Sequence, residues 1–192
     1  MRSWDYRFVT LAAIALFAFG LSAASNRTTN QAEAVPAAKN QHATAMSNEH
    51  PATLAQLMRG IMFPNSNLIF AAQGKNPVDV PPAKNPSNAI NPLEGTYGKW
   101  EAVENSSLVI VEAADLLTVP TRACSNGRPV PAGNPDWPRL VQGLRDAGMK
   151  SYRAAQSKDQ DKITDAADAL TTACSNCHVK YRDKPTLEDR CR

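Results

Sequence analysis

The chain has 192 residues, with 21 basic and 18 acidic side chains and a formal net charge of +3. That length fits one domain at about 150 residues each, and a hydrophobic content of 43% suits a soluble globular protein. The charge is too small and too scattered for a nucleic-acid surface. Four cysteines are too few for a small disulfide scaffold.

The first 24 residues read as a secretory signal. Arg2 and Arg7 give a basic start, Phe8 to Leu21 is an uncharged, mostly apolar run, and Ser22-Ala23-Ala24 offers small residues for cleavage. A membrane anchor needs roughly 18 apolar residues, and this run has 14. A second candidate site follows Ala32-Glu33-Ala34. Cleavage after Ala24 leaves 168 residues and a net charge of +2 in an oxidising compartment, where cysteines are expected to be paired or otherwise used. Residues 25–47 are rich in Ala, Asn, Thr and Gln without a sustained period, and they read as a flexible leader.

From residue 48 to 192 the pattern is helical. After Pro51, Leu54, Met58, Ile61 and Leu68 share one face, with Pro64 expected to kink or interrupt the helix. A proline-rich loop spans 74–91. Asn91-Pro92-Leu93-Glu94 resembles a capped helix start. In the second helix Trp100, Val103, Ser107, Ile110, Ala114 and Leu117 are spaced 3, 4, 3, 4, 3. A second loop covers 120–135. The third helix begins near Asp136 or Pro138, with Leu140, Val141, Leu144, Ala147 and Gly148 on its apolar face. The fourth runs from about Asp159 to Arg182, with Ile163, Ala167, Leu170, Cys174, Cys177 and Tyr181 in line. Its acidic start and basic end match the helix dipole. No segment shows a period of two with hairpin turns. The expected fold is all-α, an up-down-up-down four-helix bundle in a single domain.

Cys174-Ser175-Asn176-Cys177-His178 is a C-x-x-C-H sequence, the pattern of c-type haem attachment. Two thiols add across the two haem vinyl groups, and the adjacent histidine becomes an axial iron ligand. On a helix, positions i, i+3 and i+4 share a face. From this chain's Cys and His frequencies, chance produces about one such match per thousand chains. A redox C-x-x-C is expected beside a βαβ pattern, which is missing here. A zinc site with Cys191 as fourth ligand has no recognisable spacing. A disulfide between Cys174 and Cys177 would strain the helix.

This motif on the last helix, with the Tyr181-Arg182 pair after the histidine, resembles the class II c-type cytochromes, the cytochrome c-prime family and its low-spin relatives. The resemblance covers about residues 50–184 and implies one covalent haem c with His178 as proximal ligand. Loops 74–91 and 120–135 depart from the compact family pattern. The family has either an open distal site or a methionine ligand. In an up-down-up-down bundle the end of helix four lies beside the start of helix one, which makes Met58 the expected distal ligand and Met62 the alternative. Met149 and His50 are leftovers, and His42 falls in the leader. Arg182 is read either as a propionate contact or as a solvated helix-end arginine. Tyr181 is expected to pack, and Trp100 to be core or a haem-edge contact. The same topology brings the loop holding Cys124 and the tail holding Cys191 to one end, so a Cys124–Cys191 disulfide is expected.

The functional expectation is a periplasmic monohaem cytochrome carrying out one-electron transfer with a periplasmic or membrane-bound redox partner. No enzyme chemistry, nucleic-acid partner or lasting membrane insertion is expected. The alternatives are a five-coordinate haem protein binding NO or CO, and a structural or zinc-binding helical protein without haem.

Overall fold

A computed structural model describes residues 50–191. The expected signal (1–24), the leader (25–47) and His42 lie outside the described residues. Thr53 opens the first helical stretch with a reciprocal cap. Its hydroxyl accepts the Gln56 N–H at 3.3 Å, and the Gln56 side chain accepts the Thr53 N–H at 2.8 Å. Helix α1 (Leu54–Leu57) runs into a π-helical turn (Met58–Met62) and then α2 (Phe63–Gly74). Pro64 is the reason for the wide turn. A proline donates no N–H and crowds the carbonyl four residues earlier. The chain responds with the longer π bond, from Phe63 N–H to the Met58 carbonyl. The interruption expected at Pro64 therefore takes the form of a π turn just before it.

That turn corrects the expected seam. The inserted residue shifts the inward face by one position, so Met62 is buried while Ile61 is only half-buried. Leu68, Ile69 and Ala72 complete the buried face of α2. Its C-terminal carbonyls are capped across space, where the Gln160 amide donates to Ala72 and Gln73 at 2.8 and 3.1 Å.

Asn91 caps only a short 3₁₀ turn (Pro92–Glu94), not the second helix as expected. Gly95 is extended, and at Gly98 a Cβ would run into the carbonyl oxygens of Leu93 and Gly95. The chain turns sharply there, and α3 starts later, at Lys99–Ala113. It tightens into a 3₁₀ turn (Ala114–Thr118). All six expected seam residues, Trp100, Val103, Ser107, Ile110, Ala114 and Leu117, are buried. Helix α4 (Trp137–Ser157) has Pro138 in its first turn and ends on a left-handed Lys158 (φ 52°). Helix α5 (Gln160–Tyr181) is capped by the Asp159 carboxylate, which accepts the Asp161 and Lys162 N–H groups at 3.0 and 3.1 Å.

Among the described residues the fold is all-α, with no strand and one isolated bridge between Ala123 and Pro129. Helix α2 packs on α3 and α5, and α4 packs on α3 and α5. Ile69, Val103, Ile110, Ile163 and Leu170 are fully buried between them. No helix among the described residues is long and apolar enough to cross a membrane.

The loop after α3, the start of α1 and the C-terminal tail gather at one end. The Leu54 N–H bonds the Ala123 carbonyl at 2.8 Å. Buried Arg122 donates to the carbonyls of Leu116 and Ala52. The Asn126 amide donates to the tail carbonyls of Glu188 and Arg190 at 2.8 and 3.0 Å. Cys124 and Cys191, the expected pair, form a disulfide with Cα atoms 4.9 Å apart, closing a separation of 67 residues.

Two outcomes are expected. A loop of this length contributes about 4 kcal/mol through the denatured state. Cys124→Ser with Cys191→Ser should therefore lower the unfolding free energy by about that amount in urea titration. Equal alkylation of both cysteines with and without reductant would refute the bond. Gly148 lets α4 approach α3, since a Cβ there would lie 2.8 Å from Val111 Cγ2 and 3.2 Å from Ile110 Cγ2. Gly148→Ala should therefore destabilise by about 1–2 kcal/mol in the same titration, overpacking outweighing the helix-propensity gain.

Candidate functional site

The seam of α5 is closed over by its neighbours at Ile163, Ala167 and Leu170, then opens. Cys174, Cys177 and Tyr181, the next members of the same stripe, are only half-buried. They face a cavity of about 630 Å³, within the range of small-molecule and cofactor sites. His178, one residue beyond Cys177, is on the same wall. Opposite stand Met58, Met62 and Phe70 from the first helical stretch, with Trp137 and Leu144 of α4 closing the side. The lining is largely apolar.

The π turn shapes the methionine wall. In an undistorted α-helix, residues four apart drift around the axis. Here Leu54, Met58, Met62, Ser66 and Phe70, each four apart, all line the cavity. Met58 is half-buried and Met62 buried. Both candidate methionines thus share one chamber with the C-x-x-C-H residues.

The thiols of Cys174 and Cys177 are free, not joined to each other. Burial pushes the Cys174 thiol up. It pushes Cys177 to about 11, with the neighbouring Cys174 and Asp136 charges adding to the rise. Both are neutral thiols near pH 7. His178 is lowered, by burial first and by the Arg182 charge second, against an opposing pull from Asp183. Its imidazole is therefore neutral at that pH, with a nitrogen lone pair available to a metal. The carbonyl of His178 accepts N–H bonds from Arg182 and Asp183, both 2.8 Å, which ends the helix just past the histidine.

Tyr181 does more than pack. Its hydroxyl donates to Asp136 Oδ1 at 2.8 Å and accepts from Asn134 Nδ2 at 3.3 Å, and its ring meets Trp137 edge-on at 4.9 Å. Lys180 Nζ reaches Asp136 Oδ2 at 2.6 Å. Trp137 in turn donates its indole N–H to the Leu117 carbonyl at 3.0 Å. These bonds fix the α4–α5 corner beside the cavity. Arg182 is on the cavity wall but holds Asp183 with two nitrogens, at 2.7 and 3.1 Å.

The remaining sequence candidates lie elsewhere. Trp100 is buried in the core, and neither it, Met149 nor His50 lines the cavity. Cys191 touches the cavity and is committed to Cys124. The sequence reading missed Trp137, Phe70, Arg59 and Asp183. The period of four imposed by the π turn is the signal that would have found Arg59 and Phe70. Among the described residues no three of His, Cys, Asp and Glu cluster to hold a bare metal ion. A macrocycle that brings its own ring nitrogens needs only one or two axial residues from the protein.

Comparison with protein-family models, with curated proteins and with solved structures finds no match for this chain.

Asp136 carries a prediction. Its hydrogen bonds to Lys180 and Tyr181 hold the carboxyl below the usual range. The folded state thus favours the ionised form. Its contribution is complete above the ordinary carboxylate value near 4 and is lost as pH falls through the lower folded value. Asp136→Asn should lower stability at pH 7 and flatten the acid limb of the stability–pH curve, so that variant and parent converge at low pH. Parallel curves would refute the bonding shown here.

Proposed function

We propose that this chain is an exported monohaem c-type cytochrome, similar to the class II kind, that carries out one-electron transfer. The observation that carries the reading is the meeting, on one apolar cavity, of Cys174, Cys177 and His178 with two methionines from the facing helical stretch. The residues fit the group. The cavity is apolar and of cofactor size, both thiols are unpaired with each other, and the imidazole is neutral. Cys174 and Cys177 would hold haem c through two thioether bonds, and His178 would be its proximal ligand. Bound haem c supplies an iron that alternates between the ferric and ferrous states.

The chain's own part is binding, orientation and exclusion of water. The helical i, i+3, i+4 spacing holds tethers and histidine on one face without rearrangement. Met58, half-buried on the opposite wall, is the proposed distal ligand, with Met62 the alternative one helical step away. Leu54, Phe70 and Leu144 keep the chamber apolar, and surroundings with few mobile dipoles rearrange little when an electron arrives or leaves. The pairwise packing of α2, α3, α4 and α5 supports an up-down-up-down four-helix bundle, and the C-x-x-C-H residues would put the cofactor on its last helix. The basic start and apolar N-terminal run, read as an export signal, support a periplasmic location, where a periplasmic or membrane-bound redox partner is proposed.

The test is an optical spectrum of protein exported in a host with c-type maturation, taken oxidised, reduced, and reduced with CO. Covalent haem with a methionine–iron charge-transfer band and little CO response is expected. Cys174→Ala with Cys177→Ala should release haem to acidic organic solvent, and Met58→Ala should turn the spectrum high-spin and CO-responsive. A parent protein that is already high-spin and CO-responsive would favour the NO- or CO-binding reading. A colourless one would overturn haem binding.

A further inference from the structure

We propose that the Cys124–Cys191 disulfide guards haem attachment: it occupies the Cys191 sulfur, so that only the thiols of Cys174 and Cys177 are presented to the cofactor. The inference rests on the haem reading above and gives the second cysteine pair a task at the same cavity.

Three of the chain's four cysteines line the cavity, Cys174, Cys177 and Cys191. Attachment uses only two sulfurs, one for each vinyl group. Each S–H adds across a vinyl double bond, sulfur to one carbon and hydrogen to the other, with no net oxidation. A third thiol on that wall would compete in two ways. It would add to a vinyl group in place of a neighbour, or it would pair with a neighbour and leave one sulfur for haem. Pairing releases two protons and two electrons. The electrons go to a disulfide oxidant of the exporting compartment, which leaves as a dithiol.

The fold withdraws this third thiol. Cys191 is bonded to Cys124, which is 2% exposed and does not line the cavity. Cys174 and Cys177 stay free. Four cysteines are thus sorted into one bond and two available thiols.

Cys191 is held at the cavity by more than its sulfur. Its N–H bonds the Tyr181 carbonyl at 2.9 Å, one helical turn beyond Cys177. The Asn126 amide donates to the carbonyls of Glu188 and Arg190 at 2.8 and 3.0 Å, and Arg128 Nη1 donates to Glu188 at 3.0 Å. None of these bonds involves the disulfide. A Cys191 released from Cys124 therefore remains beside the attachment thiols, whereas a Cys124 released from Cys191 remains in the core. The two halves of one bond are unequal, and the inequality supplies the test.

Cys124→Ser, Cys191→Ser and the double variant are exported beside the parent in a host with c-type maturation. All three lose the disulfide, but only Cys124→Ser leaves a thiol on the cavity wall. Covalent haem per chain is measured after acidic organic extraction. Cysteine linkages are mapped by peptide mass spectrometry without reduction, on the haem-bearing and haem-free protein together. Cys124→Ser should carry less than half the parent's covalent haem, with Cys191 linked to Cys174, to Cys177 or to haem. Cys191→Ser and the double variant should keep the parent's haem content. Equal haem loss in all three would mean that the bond acts through stability alone and would overturn the proposal. Full haem content in Cys124→Ser, or a Cys191 that pairs there only with a second chain, would overturn it too, with the haem reading intact. A parent protein without covalent haem would overturn both.

Discussion

The apolar stripe of α5 is covered by neighbouring helices from Ile163 to Leu170 and uncovered from Cys174 onward, and the functional half of the molecule is organised around that change. Protein interiors pack as densely as organic crystals. A chamber of about 630 Å³ is therefore not a packing flaw but a shape that surrounding elements must hold open. The loop after α3 and the tail do this from one end. They are tied to each other through Cys124–Cys191 and to the start of α1 through Arg122 and Ala123. Trp137 does it from the side, with its ring against Tyr181 and its N–H on Leu117.

The facing wall depends on one proline. Pro64 cannot serve an ordinary α-helical turn, so the bonds of the preceding residues lengthen to the π pattern. The cost is local and the consequence is positional. A step of four residues along the chain stays on one side of the helix, and Met58, Met62 and Phe70 line up along the cavity. π turns recur at functional sites because they re-aim side chains without breaking the helix. Here the re-aiming brings two thioethers into the chamber that holds the C-x-x-C-H residues.

The electrostatics follow from burial and from who is already paired. In the apolar chamber the two thiols and the imidazole are held in their neutral forms. Charges appear at its margins, where Asp136 is engaged by Lys180 and Tyr181, and Arg182 by Asp183. The cavity is thus apolar within, and its charged groups at the margin are held largely by partners of their own.

Much of this was legible in the sequence. The 3, 4, 3, 4, 3 spacing from Trp100 to Leu117 is carried by buried residues throughout, because a regular helix maps sequence period directly onto a face. The C-x-x-C-H residues could be placed on one side of a helix for the same reason. What tertiary structure decided lies where local rules compete. Asn91-Pro92-Leu93-Glu94 has every sign of a helix start, yet the Gly95–Gly98 turn folds back on the Leu93 carbonyl and delays α3 to Lys99. Met62 replaces Ile61 on the buried face because Pro64 changes the turn before it. Arg182, which the sequence left between a cofactor contact and a solvated helix end, is taken by Asp183. Periodicity speaks for single elements, whereas the partner each side chain finds is set by how those elements meet.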